Sequence, residues 1–411
     1  MPWKDLSVMQ QREEFVRLAT APGANVAREC RRAGISRSKG YKWIKRHKEL
    51  GLEGLKDRSR RPHSSPKRTP PAIEAEVMKL RDESNNAWGG RKISWVAEQE
   101  LGIVIAPSTV TEVLRRNRRL EANRKEHPGP VQRFERAHPN ELWQMDYKGH
   151  FAMLQGRCHP LTVIDDHSRY LIGLHACGGE TEEMTRRCLT ATFRRYGMPY
   201  SMLMDNGPPW SDPGGGPYTR LSVWMMRLGI RILHGAVRHP QTQGKDERLH
   251  RTLLAEVIRG RSFRGLTECQ NSFDQWRPVY NHKRPHEGIG MQTPDTRYRP
   301  SPLNFPEVLP PIEYSPGDVV RLVDGEGDMS FEGRPIRVGK AFQKQPIALR
   351  ADTVDGTYTV HFCSHQIGML DLRKLPRKAW GFVDIAKRPR SHLLSDVHNS
   401  PGPTTRKMRT G

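Results

Sequence analysis

Residues 140–300 alternate short apolar runs, which are typical of strands, with longer amphipathic segments, which are typical of helices. The strand-like runs cover residues 142–146, 161–164, 170–175, 200–204 and 230–233, and the helical segments cover residues 180–196, 218–228 and 243–259. Three strands followed by alternating helices and strands are typical of a mixed α/β sheet with helices on both faces. This pattern constrains the middle of the chain to a layered α/β domain.

The front of the chain contains two short helical units separated by polar linkers. We place the units at residues 1–56 and 72–120 and the linkers, which are rich in proline and charge, at residues 57–71 and 121–139. Both units follow the helix-turn-helix pattern, whose second helix lies in the major groove of DNA. The sequence therefore predicts two DNA-binding units, the second of them winged-helix-like. For each unit the alternative is an ordinary core helix with a solvated basic face.

Local signals support this interpretation of the two units. In the first unit Gly34 marks a turn, and Ser36 is a suitable N-cap for the helix that follows. In the second unit the spacing of Val110, Val113 and Leu114 predicts that these side chains face inward from one helix.

Polar side chains near the predicted helix faces are candidates for contact with double-stranded DNA. On the two front units they are Arg37, Lys39, Lys42, Arg46, Arg91, Lys92, Ser108, Thr109 and Arg115. Three further candidates, Lys245, Arg248 and Arg251, lie on the last helical segment of the middle domain. Side chains of these types grip phosphates, although a solvated basic face is the alternative here too.

Overall charge favours a polyanionic partner. The chain of 411 residues has 68 Lys and Arg against 45 Asp and Glu, a formal net charge of +23, and the excess is largest in the first third. Such an excess repels itself unless a polyanion such as nucleic acid is bound, the alternative being a solvated charged surface. No apolar run reaches the roughly 18 residues of a membrane span, so no membrane partner is expected. The six scattered cysteines are typical of a reduced cytoplasmic protein.

After residue 300 the pattern becomes all-β. A turn at residues 314–318 precedes a strand at residues 319–323, and glycine turns separate further short strands. We expect a small β-barrel at residues 310–376. The last residues, 387–411, are polar and basic and contain proline, and we expect them to be disordered.

Three acidic residues have positions that suggest catalysis. Asp146 and Asp205 each end an apolar strand run and precede a glycine, and Glu247 lies in the first turns of the last helical segment. Carboxylates at strand ends face the rim of an α/β sheet, where such folds bind ligands. Crowded carboxylates repel unless a cation neutralises them, and Mg²⁺ favours oxygen ligands of this kind. Two Mg²⁺ ions about 3.5–4 Å apart can clamp the attacking and leaving oxygens of a phosphodiester.

Each acid also has a simpler interpretation. An aspartate at a strand end often forms a turn, and an acid in the first turn of a helix often complements the helix dipole. Asp165 and Asp166 lie between two strand runs, where a hairpin turn is the better interpretation. Asp246 precedes Glu247, and because neighbouring helical residues point about 100° apart, only one of the two can face the other acids.

Several segments resemble the DDE transposases and retroviral integrases, especially insertion-sequence transposases with an integrase-type core. The matching stretches are LWQMDYKGHF, VIDDHSRY, LMDNGPPW, LGIRILHGAVRHPQTQGKDERLHRTL and YNHKRPHEGIGMQTPDTRY. The resemblance implies an RNase-H-like core and assigns Asp146, Asp205 and Glu247 as the catalytic, metal-binding residues. It implies dependence on two Mg²⁺ ions, with Mn²⁺ able to substitute. It also implies a homo-oligomer acting on paired DNA ends, in the bacterial cytoplasm at the nucleoid.

The resemblance has some departures and leaves one segment with an uncertain role. The separation of Asp205 and Glu247 exceeds that of many relatives, and an inserted loop at residues 212–216 accounts for the extra length. The zinc-binding front module of retroviral integrases is absent, and helix-turn-helix units stand in its place. Arg284 and His286 belong to a segment that recurs in the family, and we interpret this segment as structural packing.

The sequence therefore predicts a multidomain transposase with tandem helix-turn-helix units, an RNase-H-like core and a small C-terminal β-barrel. Its expected reactions are hydrolysis at element ends and strand transfer into target DNA. The first alternative is a DNA-binding regulator that keeps this fold and has lost the chemistry. The second is a ribonuclease acting on hybrids, which leaves the two front units unexplained.

Overall fold

The computed structural model describes residues 7–58, 68–120, 135–205, 207, 209–210, 218–234, 244–375 and 380–383. The chain divides into two compact units, Met1–Arg68 and Thr69–Gly411, and each is described by itself. Most of the predicted linkers, the loop at residues 212–216 and the tail at residues 387–411 lie outside the described residues.

In the described residues of the first unit, 7–58 and 68, three helices are followed by a 3₁₀ turn. The helices are α1 (Val8–Ala19), α2 (Val26–Arg32) and α3 (Arg37–Leu50), and the turn is Gly51–Leu55. Ser36 caps α3, as predicted, by accepting a hydrogen bond from the backbone N–H of Lys39. The core that α1 forms with the other helices includes Phe15, Cys30 and Leu55. The sequence indicated α2 and α3 as a pair, and α1 is the addition that the structure reveals.

A second group of three helices begins the larger unit. They are α4 (Pro71–Glu83), α5 (Gly90–Leu101) and α6 (Pro107–Arg116). Proline opens α4 and α6 because the first turn of a helix needs no hydrogen bond from its N–H. Val110, Val113 and Leu114 of α6 are fully buried in the core of this three-helix group, which confirms their predicted inward orientation.

The central domain is a six-stranded mixed sheet with helices on both faces, as the sequence predicts. Its strands are β1 (Trp143–Tyr147), β2 (Phe151–Ala152), β3 (Arg157–Asp165), β4 (Leu171–Cys177), β5 (Ser201–Met204) and β6 (Arg231–His234). The strand order is β2-β3-β1-β5-β6, with β4 paired to β3. Strands β1, β3 and β4 are antiparallel neighbours, whereas β1, β5 and β6 run parallel.

The described part of this domain also contains four α-helices: α7 (Glu182–Tyr196), α8 (Arg220–Arg227), α9 (Gly244–Leu253) and α10 (Leu266–Pro278). Helices α7 and α8 pack in the same hydrophobic cluster as Leu161 of β3. Helices α9 and α10 pack in the cluster that contains Ile164 of the same strand. Alternation along β3 therefore buries both faces of the sheet. Helix α9 continues directly into a π-helical segment, Leu254–Ile258, so the helical region ends one residue before the predicted limit of residue 259.

The C-terminal region is rich in strands, as predicted. Its strands are β7 (Val319–Leu322), β8 (Asp328–Phe331), β9 (Arg334–Arg337), β10 (Pro346–Ala351), β11 (Thr357–Phe362), β12 (His365–Asp371) and β13 (Gly381–Phe382). They form a four-stranded sheet, β12-β11-β10-β7, and a three-stranded sheet, β13-β9-β8. Among the described residues, no helix combines the length and the apolar character that crossing a membrane demands.

Candidate active site

Two of the three predicted acids lie at the same edge of the sheet. Strands β1 and β5 are parallel neighbours, with Trp143 opposite Met202 and Gln144 opposite Leu203. Continuing this register by two residues brings Asp146 opposite Asp205. Neighbouring strands lie about 4.8 Å apart, so the two carboxylates project from adjacent backbone positions.

The charge of Asp205 acts on Asp146, as expected for two carboxylates on neighbouring strands. Burial, followed by the charge of Asp205, raises the pKa of Asp146 to about 7. His250 Nδ1 lies 3.9 Å from Asp146 Oδ2, but burial lowers the pKa of His250 to about 4, so the imidazole is neutral and does not offset the charge. The Thr162 hydroxyl donates to the Asp146 carbonyl (3.0 Å) and lies 2.8 Å from His250 Nε2. Helix α9 is thereby linked to β1 and β3 beside the carboxylate.

Helix α9 presents its two neighbouring acids in different directions. Asp246 is 1% exposed, and burial together with the charge of Asp146 raises its pKa well above the ordinary value. Its Oδ1 has no hydrogen-bond partner within the described residues. Glu247 has a side chain that is 68% exposed, and it lies 3.8 Å from Arg251 Nε. The inward-facing acid of α9 is therefore Asp246, while Glu247 faces solvent on the same turn.

The described residues contain no ready-made cluster of three His, Cys, Asp or Glu side chains arranged to hold a metal ion. What the fold brings together is the pair Asp146 and Asp205, with Asp246 close behind Asp146. Glu247 does not join this group in the structure. Carboxylate oxygens are nevertheless the ligands that Mg²⁺ favours.

The predicted hairpin at Asp165 and Asp166 is present, and it anchors α9. Asp165 accepts hydrogen bonds from the backbone N–H of Asn140 (2.7 Å) and the Ser168 hydroxyl (2.6 Å), which shapes the turn between β3 and β4. Asp166 forms a buried ion pair with Lys245. The Lys245 ammonium is thus used inside the fold at the start of α9, and we no longer propose it as a DNA contact.

The site includes two residues that the sequence reasoning missed, Thr162 and His250. His250 follows Asp246 by one helical turn, and Leu253 and Val257 continue the same buried stripe. That spacing could have identified His250 as an inward-facing side chain. Thr162 lies opposite Asp146 in the β1–β3 register, and nothing in the local sequence reveals that pairing.

Most of the candidate DNA contacts lie on the surface. Those with exposed positions are Arg37, Lys39, Lys42, Arg91, Ser108, Arg115, Arg248 and Arg251, and those half-buried are Lys92 and Thr109. Three of the exposed arginines, Arg115, Arg248 and Arg251, have carboxylate partners in Glu112, Glu287 and Glu247. Exposed ion pairs of this kind are weak, so these arginines can exchange their partners for phosphates.

Arg46 differs from the other candidates because it is buried. Its guanidinium donates to the carbonyl of Lys56 (2.7 Å) and lies over the ring of Trp43. Arg46 follows Lys39 by seven residues on α3, but its side chain turns inward and ties the helix to the turn that follows it. We therefore no longer propose Arg46 as a DNA contact.

We expect Asp146→Asn to stabilise the cation-free protein at high pH. The folded-state pKa of about 7 lies above the usual 3.8, so the stability that protonated Asp146 contributes is lost as the pH rises towards 7. Asparagine does not ionise, so at about 1.4 kcal/mol per pKa unit the variant should gain a few kcal/mol at pH 8 and less than half as much at pH 5. Calorimetric melting at both pH values, without divalent cations, measures the difference. The exposed Glu247→Gln is the matched control, and an Asp146→Asn gain of equal size at both pH values would contradict the assignment.

Comparison with protein families gives matches along most of the chain. Two models described as "Integrase core domain" match residues 136–240 and 228–294. A model described as "IS481 family transposase, C-terminal domain" matches residues 318–377. At the front, a "Helix-turn-helix domain" matches residues 11–63 and a "Homeodomain-like domain" matches residues 39–114.

Curated relatives include two proteins of bacterial insertion elements. The IS476 uncharacterized 39.2 kDa protein of Xanthomonas euvesicatoria is 26% identical over 158 residues, which are 38% of this chain and 43% of that protein. The IS407 uncharacterized 31.7 kDa protein of Burkholderia multivorans is 23% identical over 156 residues, 38% of this chain and 54% of that protein. The match therefore spans about half of each relative.

Among solved structures, the chain is similar to the simian T-cell lymphotropic virus intasome in complex with the PP2A regulatory subunit B56 gamma. The TM-score is 0.37 at 17% identity, covering 69% of this chain and 91% of that one. It is also similar to the HTLV-2 integrase catalytic core domain in complex with magnesium, in its trimeric form. There the TM-score is 0.29 at 15% identity, covering 40% of this chain and 99% of that one.

Proposed function

Because the chain belongs to the superfamily of DDE transposases and retroviral integrases, we propose that it is a DNA transposase. It binds the ends of an insertion element, hydrolyses a phosphodiester there and joins the freed 3′ end to target DNA. The observation that carries this proposal is the pair Asp146 and Asp205, in register on adjacent parallel strands within the residues matched by the integrase-core models.

The donor set fits divalent cations. Crowding and burial disfavour the charge on Asp146, and a bound cation relieves both effects. We propose that Asp146, Asp205 and Glu247 hold two Mg²⁺ ions, for which Mn²⁺ can substitute. Bound there, such ions supply activation of the attacking oxygen and stabilisation of the leaving one.

The protein's own contribution is position and charge. Asp146 lies on β1 and Asp205 directly follows β5, the parallel neighbour of β1, and we propose that the sheet holds the two carboxylates in position before DNA binds. Thr162 and His250 hold the Asp146 segment against α9. Glu247, Arg248 and Arg251 share the solvent side of that helix, where a DNA backbone can approach the carboxylate pair.

The front helices supply DNA recognition in this proposal. The helix-turn-helix matches and the exposed Arg37, Lys39, Lys42 and Arg91 support binding to the duplex of the element ends. The two ends of the element must be held side by side for insertion into one target. We therefore propose that the active form is a homo-oligomer bound to both ends. Action on chromosomal DNA assigns the protein to the bacterial cytoplasm, at the nucleoid.

A second candidate is a DNA-binding regulator without catalytic activity. The observation that favours it is the exposed position of Glu247, apart from Asp146, while Asp246 occupies the inward-facing position on α9. In that function the front helices still bind DNA, but no strand is cut.

The deciding experiment uses the full chain with DNA fragments from both flanks of its own gene and a supercoiled plasmid as target. We expect nicked flank DNA and covalent flank–plasmid products with Mg²⁺, and none with EDTA. Shifted DNA bands without any cut strand, at every Mg²⁺ or Mn²⁺ concentration, would instead identify the regulator.

A further inference from the structure

A buried carboxylate joins the three-helix group α4–α6 to the central domain. Glu256, in the π-helical segment after α9, is 6% exposed. Its Oε1 accepts from the Trp88 indole N–H (3.0 Å) and the Arg284 Nε–H (2.9 Å). Its Oε2 accepts from the Trp276 indole N–H (3.0 Å). Trp88 belongs to the loop between α4 and α5, so one carboxylate binds donors from both bodies.

A second contact reinforces the first. The side-chain amide of Asn85 donates to the backbone carbonyls of Ala255 and Arg259, each at 3.2 Å. These carbonyls flank Glu256 at the end of the helical region. Asn85 has a φ of 50°, a left-handed conformation that asparagine and glycine tolerate best. The loop that carries Asn85 and Trp88 is therefore shaped to meet this segment.

An ion pair lies at another edge of the same contact. Lys283 lies between two acids of the three-helix group, 3.1 Å from Glu83 and 2.8 Å from Glu100. Val279 of the central domain packs against the core of that group. We name the contact formed by Asn85, Trp88, Glu256, Lys283 and Arg284 the docking interface.

The docking interface is continuous with α9, the helix that carries Glu247. Glu256 lies on the direct continuation of α9, roughly 14 Å along the helix from Glu247 at 1.5 Å per residue. The three-helix group and the central domain each have a hydrophobic core of their own. Burying a charged side chain such as Glu256 costs free energy unless its hydrogen-bond partners are in place. This cost favours the one arrangement of the three-helix group and the central domain in which Trp88 and Arg284 both reach Glu256.

We propose that Glu256, bound by Trp88 and Arg284, is a positioning residue that holds the second DNA-binding unit at a fixed place relative to Asp146, Asp205 and Glu247. DNA gripped by α4–α6 then presents one phosphodiester, and no neighbouring one, to the carboxylates. The inference rests on the proposed transposase function and specifies how the cut position is selected.

The test compares Trp88→Phe with Trp276→Phe. Both changes remove one indole donor from the same carboxylate and keep an aromatic ring. The first removes a contact across the docking interface, whereas the second removes one within the central domain. Asn85→Gly, which keeps the left-handed conformation and removes two cross-interface bonds, is the second variant if Trp88→Phe fails to fold.

Two measurements are made on each variant. Spin labels at the exposed positions Glu98→Cys and Leu154→Cys, in a Cys363→Ser background, report the distance distribution between the two bodies. Sequencing of cut flank DNA reports the cleaved phosphodiester. For Trp88→Phe we expect a broader distribution, cuts spread over neighbouring bonds and about tenfold less strand transfer, because small misplacements reduce the rate steeply. DNA affinity should stay within about twofold, and Trp276→Phe should match the wild type in both measurements.

An unchanged distance distribution in both interface variants would overturn the inference. So would a broadened distribution with the same single cut at the wild-type rate, or equal effects from Trp276→Phe. Failure of the proposed function has a different signature, because the wild-type chain would then leave flank DNA uncut whatever the distance distribution. The positioning role would fall with it, since there would be no cut to position.

Discussion

Asp205→Asn is expected to abolish strand transfer while DNA binding persists. The change replaces one of the two carboxylates near the ends of β1 and β5 by a neutral amide of the same shape. Loss of several kcal/mol of charge stabilisation at the reacting phosphate corresponds to roughly 100-fold or more in rate. The measurement is the yield of flank–plasmid product with Mg²⁺, alongside a gel-shift titration of flank DNA.

Asp355→Asn is the matched control for this experiment. It makes the same chemical change at an exposed position in the turn between β10 and β11, so the net charge changes identically. We expect it to retain wild-type strand transfer. If Asp205→Asn gave as much product as Asp355→Asn, the carboxylate pair would have no part in the chemistry and the transposase proposal would fail.

The elements of the central domain could be predicted from local pattern. Strands β1, β3, β4, β5 and β6 and helices α7 to α9 are signalled by apolar periodicity, which depends on residues close in sequence. The pairing of β1 with β3 on one side and with β5 on the other depends on contacts between distant segments. Local pattern does not encode that register, and the meeting of Asp146 with Asp205 depends on it.

The orientation of α9 is a second feature that the sequence predicts only in part. The stripe of Leu249, Leu253 and Val257 was visible in the sequence and predicts which side of the helix is buried. It does not decide between two acids that lie on either flank of that stripe. The structure turns Asp246 inward, on the same side of the helix as His250, whose Nε2 lies 2.8 Å from the Thr162 hydroxyl of β3.

The docking interface could not be anticipated from sequence at all. Trp88 and Glu256 are far apart in the chain, and each has an ordinary explanation as a core tryptophan or an exposed helical acid. Arg284 was interpreted as packing, which its burial against Glu256 supports. The sequence does not show that Arg284 packs against Glu256. Hydrogen bonds between residues far apart in the chain produce no periodic pattern in the local sequence.

Glu247→Gln is expected to reduce strand transfer by roughly 100-fold, whereas Asp246→Asn is expected to reduce it by about fivefold or less. Glu247 faces solvent on the side of α9 that DNA can reach, and we propose it as the third ligand of the cations there. Asp246 is buried with an unpaired oxygen beside Asp146, so its amide variant relieves repulsion and should also raise the melting temperature.

Each variant is the control for the other. The two residues are adjacent, and each change removes one negative charge while keeping the shape of the side chain. Flank–plasmid product with Mg²⁺ and calorimetric melting are measured for both. The opposite ranking, with Asp246→Asn inactive and Glu247→Gln active, would make Asp246 the third carboxylate of the site and remove Glu247 from it. That outcome would leave the pair Asp146 and Asp205 in place, because their meeting depends on the β1–β5 register and not on the rotation of α9.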